Sequence, residues 1–126
     1  MLNSKILIVE NERIVADDIK QRLEDLGYEV IGISGNSEDA LKKTGEIKPD
    51  IILMDIILTG EVDGIKTAQQ ISEIYSIPFI YLTAYYDDEI LKRASLTQPA
   101  GYITKPFNTV GLHAAIQMAL YKQKKS

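Results

Sequence analysis

A five-stranded parallel sheet in the order 2-1-3-4-5, with helices on both faces, is the α/β fold that this sequence predicts. Apolar β-rich runs recur at residues 6–9, 30–33, 51–54, 79–82 and 101–103, and helical spacing fills the intervals between them. The runs at 6–9, 51–54 and 79–82 are continuously apolar, the pattern of parallel strands covered on both faces. Parallel neighbours need long crossover connections, so strand and helix alternating five times describe an open sheet. With only five strands available, the order 2-1-3-4-5 is preferred to the dinucleotide-binding arrangement.

Each element has its own signal. After the first strand, Val15, Ile19, Leu23 and Leu26 return at helical spacing until Gly27 stops the helix. After the second strand, a helix over Ser37–Ile47 places Ala40, Leu41 and Thr44 together, with Ser37 as its expected N-cap and Pro49 as its terminator. Ile65, Ala68, Ile71 and Tyr75 mark the third helix, begun by Asp63 as N-cap, and Pro78 lies beyond it. Ile90, Leu91 and Ala94 mark a short fourth, and Leu112, Ala115, Ile116 and Ala119 a fifth that Asn108 caps. Lys122, Lys124 and Lys125 close this last helix, where cations offset the negative end of the macrodipole.

Composition narrows the function. The 126 residues, 45% hydrophobic, suffice for one core and leave no room for a second. A net charge of -4 and a pI near 5.0 disfavour charge-driven binding of nucleic acid or of anionic lipid. With no cysteine, disulfides, thiolate metal sites and cysteine nucleophiles are excluded. The first apolar run is too short for a signal peptide or a membrane span, and a cytoplasmic protein without membrane contact is expected. The whole of 1–126 is read as a single domain, either free-standing or part of a longer regulator or hybrid sensor.

In sheets of this kind ligands bind beyond the carboxyl ends of the strands, where strand order reverses. The residues that follow the apolar runs there are Glu10, Asn11 and Glu12, then Asp55, then Thr83 and Ala84, then Lys105 and Pro106. Gathered carboxylates repel one another unless a cation intervenes, and oxygen ligands suit Mg²⁺ rather than Zn²⁺. A carboxylate, a lysine, a hydroxyl and a divalent ion are the parts of phosphoryl transfer, whose equatorial oxygens need charge neutralised from several sides. Asp55 is thus the expected nucleophile, forming an acyl phosphate. Lys105 would pair with one phosphoryl oxygen, Mg²⁺ would meet another, and Thr83 would donate to the third; the small Ala84 leaves the approach open.

The segments Lys5-Ile6-Leu7-Ile8-Val9-Glu10-Asn11-Glu12, Leu53-Met54-Asp55-Ile56, Val62-Asp63-Gly64-Ile65, Tyr81-Leu82-Thr83-Ala84 and Gly101-Tyr102-Ile103-Thr104-Lys105-Pro106-Phe107 together resemble the receiver domain of two-component response regulators. The resemblance spans nearly the whole chain and joins five short motifs in the right order. It implies a flavodoxin-like fold and phosphorylation of Asp55 by a partner histidine kinase or phosphotransfer protein. It also implies Mg²⁺ held by the acidic pair at Glu10 and Asn11, by Asp55 and by the backbone carbonyl of Ile57. Thr83, Ala84 and Tyr102 would be switch residues, altering a face of the fourth helix, fifth strand and fifth helix through which a homodimer could form. The Lys105–Pro106 bond is expected to be cis.

Two departures from the family pattern carry consequences. Asn11 stands where the second carboxylate of the acidic pair is expected, so metal affinity should be weaker unless Glu12 or water compensates. This keeps alive a second reading, a phosphorylation-independent pseudo-receiver acting as an interaction or dimerisation module. Ile57 offers no acid two residues after the nucleophile, which argues against a turnover phosphatase. With Tyr85 it should orient water poorly and prolong the phosphorylated state. His113, the sole histidine, is read as a satisfied or solvated helical residue rather than a phosphotransfer group. Tyr85 and Tyr86 are read as loop residues over a sheet edge or a partner-binding aromatic pair. No Gly-x-Gly-x-x-Gly, Walker A or FMN-phosphate loop follows the first strand.

Overall fold

A computed structural model describes residues 3–58, 63–84 and 88–125. Val62, Tyr85 and Tyr86, named above, lie outside them. Strands β1 (Lys5–Val9), β2 (Glu29–Ser34), β3 (Ile51–Asp55), β4 (Phe79–Thr83) and β5 (Gly101–Thr104) alternate with helices α1 (Arg13–Asp25), α2 (Ser37–Ile47), α3 (Asp63–Ile74), α4 (Asp88–Leu96) and α5 (Thr109–Lys125). All strands are parallel, in the order β2-β1-β3-β4-β5. The expected flavodoxin-like architecture is the one observed.

The period of two in a strand divides the core between the faces of the sheet. Ile6, Ile8, Ile51, Leu53, Ile80 and Leu82 pack with Ile19 and Leu23 of α1 and Leu112 and Ile116 of α5. Leu7, Val9, Ile52, Met54, Phe79 and Tyr81 pack with Ala40 of α2, Ile65 and Ala68 of α3, and Ala94 of α4. Each Leu or Ile buried in this way contributes roughly 1.5–3 kcal/mol of transfer free energy. The three middle strands are therefore apolar on both sides because each side has its own layer of helices.

Helix ends follow local chemistry. Gly27 takes φ 99°, and the Tyr28 N–H reaches back to the Leu23 carbonyl at 3.0 Å, which closes α1 with the left-handed turn that glycine allows. Asn108 Oδ1 accepts from the Gly111 N–H at 2.7 Å, the cap expected for α5. The N-cap of α2 is Asn36 rather than Ser37: the extended Asn36 accepts from the Asp39 N–H at 2.8 Å. Ser37 has already entered the helix, and its hydroxyl is left to meet the Thr67 hydroxyl of α3. At the other end Lys48 sits in the left-handed region at φ 56° before the buried Pro49.

Candidate phospho-acceptor site

The carboxyl ends of β1, β3 and β4 converge because their registers place Val9 beside Met54 and Asp55 beside Leu82. Asp55 is the last residue of β3 and 3% exposed; Glu10, just beyond β1, is 1% exposed. Lys105 follows β5, and its Nζ lies 2.9 Å from Glu10 Oε1 and 3.3 Å from Asp55 Oδ2. Two nearly buried carboxylates thus share one ammonium, leaving the cluster one negative charge in excess.

The excess charge appears in the titration of Asp55. Burial and the adjacent Glu10 carboxylate push its pKa from 3.8 up to about 7, against the opposing pull of Lys105 and of the Ile57 N–H. Burial opposes the charge on Lys105, but its hydrogen bond to Glu10 and the two carboxylate charges outweigh that and raise its pKa. The ammonium is held charged, while Asp55 gains a proton more readily than an exposed aspartate.

The remaining sequence-predicted residues occupy distinct shells around this pair. The Ile57 N–H donates to Asp55 Oδ1 at 3.3 Å. Thr83 ends β4, is 5% exposed, and its carbonyl accepts from the Lys105 N–H. Ala84 and Asn11 are exposed. Tyr102, 45% exposed, turns its ring outward on β5 with its centroid 6.2 Å from that of Tyr81. The Lys105–Pro106 bond is cis, as expected.

Glu12 does not join the carboxylate cluster. It occupies the N-cap position of α1, is exposed, and gives only its backbone N–H, at 3.2 Å, to Glu10 Oε2. Among the described residues no three His, Cys, Asp or Glu side chains converge on one point. Glu10 and Asp55 nevertheless form an all-oxygen donor pair with unneutralised charge, which fits Mg²⁺, an ion usually held by one or two carboxylates and several waters. The pairing of Glu10 with Lys105, 95 residues apart, was not legible in the sequence, where Glu10 is read as a metal ligand alone.

His113 is satisfied as expected: its Nδ1 shares a hydrogen bond of 2.9 Å with the Tyr28 hydroxyl, which also accepts from Gln117 Nε2 at 2.7 Å. Burial raises the Tyr28 pKa, and the Gln117 bond pulls against it.

A doubly wound sheet with a buried aspartate at the reversal of strand order, paired with a lysine just beyond the last strand, defines a signal receiver module. Residues 6–117 match the response regulator receiver domain family, and the chain belongs to it. It is similar to the signal receiver domain of a modulated diguanylate cyclase from Desulfovibrio desulfuricans G20, with 39% identity, 96% of each chain covered and a TM-score of 0.90. The transcriptional regulatory protein PdtaR of Mycobacterium tuberculosis is 31% identical over 116 residues, 92% of this chain and 56% of that protein. The phyllosphere-induced regulator PhyR of Methylorubrum extorquens is 34% identical over 122 residues, 96% of this chain and 45% of that protein. The chain spans about half the length of these two curated relatives. Receiver domains of two-component systems are signalling domains rather than turnover enzymes. Among the described residues no helix is long and apolar enough to cross a membrane.

Proposed function

We propose that this domain is the phospho-acceptor of a cytoplasmic two-component phosphorelay. The observation that carries the reading is Asp55, almost wholly buried at the end of β3 with the Lys105 ammonium 3.3 Å away. An Asp55 carboxylate oxygen attacks the phosphorus of a kinase or phosphotransfer-protein phosphohistidine. The P–O bond of an acyl phosphate forms as the P–N bond breaks, and the departing imidazole takes up a proton. Lys105 neutralises charge on the phosphoryl oxygens, and Thr83 donates a hydrogen bond to them. Mg²⁺, held by Glu10, Asn11, Asp55 and the Ile57 carbonyl, would supply further positive charge at the same oxygens.

The added charge then shifts an equilibrium. Thr83, at the end of β4, and Ala84 after it adjust to the phosphoryl group, and Tyr102 exchanges its outward position for an inward one, altering the face of α4, β5 and α5 through which a partner or a second copy docks. Incubation with Mg²⁺ and acetyl phosphate, followed by intact mass measurement, tests the reading. The wild type should gain one phosphoryl group and Asp55→Asn none; an unmodified wild type would reject it.

A second reading rests on Asn11. An amide in place of a carboxylate brings no charge to the metal, so the domain could act as a pseudo-receiver, an interaction or dimerisation module that works without phosphorylation. The same mass measurement separates the two, and Mg²⁺ titration of Asn11→Asp beside the native chain measures how much the amide costs.

A further inference from the structure

The loop after β3 is pinned by two carboxylates acting on successive peptide planes. The Ile57 N–H donates to Asp55 Oδ1 at 3.3 Å, and the Leu58 N–H donates to Asp63 Oδ1 at 3.0 Å. The cis peptide bond among the described residues is Lys105–Pro106, so the Ile57–Leu58 peptide is trans. In a planar trans peptide the N–H and the C=O point to opposite sides. Holding the Leu58 N–H on Asp63 therefore turns the Ile57 carbonyl to the side away from Asp63. No described residue donates a backbone hydrogen bond to that carbonyl.

Asp63 is itself held in place. Its Oδ2 lies 3.4 Å from the Ser37 hydroxyl of α2, and its own carbonyl accepts from the Thr67 hydroxyl at 2.7 Å. The next residue, Gly64, seats α3 against the strand end: its N–H donates to the Ile56 carbonyl at 3.0 Å, and a Cβ there would fall 1.9 Å from the Asp55 carbonyl oxygen. Nothing larger than glycine allows the approach. The start of α3 is thus bonded to the backbone of Ile56, directly after the acceptor residue, and its first side chain reaches back to Leu58.

We propose that Asp63 is a positioning residue for metal binding: by holding the Leu58 N–H it orients the Ile57 carbonyl as a ligand for Mg²⁺. This goes beyond its reading as a helix cap, and it rests on the proposed assignment of the Ile57 carbonyl to the metal. Oriented in advance, the carbonyl needs no reorganisation on binding; released, it must be ordered when the ion arrives.

The test is Mg²⁺ titration by calorimetry of the wild type, Asp63→Ala, Asp63→Asn and Ser37→Ala, together with hydrogen exchange at the Leu58 amide in metal-free protein. Expected is about a tenfold loss of Mg²⁺ affinity in Asp63→Ala, in the range found when an outer-shell partner of a metal ligand is removed. Leu58 amide protection should be lost in the same variant. Asp63→Asn keeps a carbonyl oxygen to accept the Leu58 N–H, so it should retain protection and most of the affinity. Ser37→Ala removes the contact with Asp63 Oδ2 but leaves Oδ1 on the Leu58 N–H and the Thr67 bond to the Asp63 carbonyl, so Leu58 protection and Mg²⁺ affinity should stay close to those of the wild type. If Asp63→Ala does not fold, Asp63→Asn and Ser37→Ala still decide: a tenfold loss in either, with Leu58 protection intact, overturns the proposal. Equal affinities in wild type and Asp63→Ala overturn it while leaving the Mg²⁺ site standing. A wild type that does not bind Mg²⁺ overturns both the proposal and the metal assignment beneath it.

Discussion

β3 is buried at every position, whereas β5 shows only Ile103 buried and leaves Tyr102 and Thr104 exposed, yet each strand delivers one partner of the Asp55–Lys105 pair. The Asp55 carboxylate sits where packing on both faces fixes the backbone, and its cation arrives from beyond an edge strand covered on one side. The difference teaches a division of labour. The dry, rigid centre is where burial raises the pKa of Asp55, and the edge is where the ring of Tyr102 packs on one side only.

Truncation in the centre should have the largest effect. Leu53→Ala in β3 empties space between the sheet and the helices α1 and α5, and urea unfolding should show a loss of about 2–5 kcal/mol. A loss below about 1 kcal/mol would mean that the middle strands are no more rigid than the edge.

Next comes the ion cluster that joins the two regions. Lys105→Met leaves Glu10 and Asp55 facing one another without a cation, and the fold should lose about 2 kcal/mol at pH 8. An unchanged unfolding midpoint at that pH would show that water already screens the pair.

Smaller still is the pH dependence of Asp55. Its folded pKa of about 7 stands above the ordinary 3.8, so the folded chain holds a proton that the unfolded chain has lost between those values. The contribution of this group to stability is therefore greatest below about pH 4 and falls as pH rises through 7. In EDTA, Asp55→Asn should stabilise the domain by ~1–2 kcal/mol at pH 8 and by little at pH 4. Thermal melts at the two pH values measure this, and a gain that is larger in acid would reverse the sign and refute the electrostatic account of the site.

The least effect belongs to the edge. Tyr102→Ala removes a half-exposed ring that lies beside Tyr81, and stability should change by less than about 1 kcal/mol. If the loss matches that of Leu53→Ala, β5 is as rigid as β3 and cannot serve as the mobile part of a switch.

The order of elements was legible because it is written in short-range spacing. Three continuously apolar runs have the pattern of strands covered on both faces, and Val15, Ile19 and Leu23 recur at the spacing of a helix with one side toward a core. The cap of α2 was misplaced by one residue, since Asn36 and Ser37 are both good caps and only the backbone shows which of them is extended. Asp63 read as a helix cap and nothing more, because the Leu58 N–H that it holds belongs to a loop whose path spacing does not encode.

The residues alone thus determined the parallel sheet, its strand order and the set of polar groups at the strand ends, for these follow from periodicity and from the placing of ligands at a topological switch. Only the folded chain decided how those groups pair. Lys105 is shared between Glu10 and Asp55, Glu12 is turned aside, and the Tyr102 ring faces outward. The reason is physical: spacing encodes which side of an element a residue occupies, but a hydrogen bond depends on distances between elements, and those are set jointly by the register of all five strands and the packing of both helical layers.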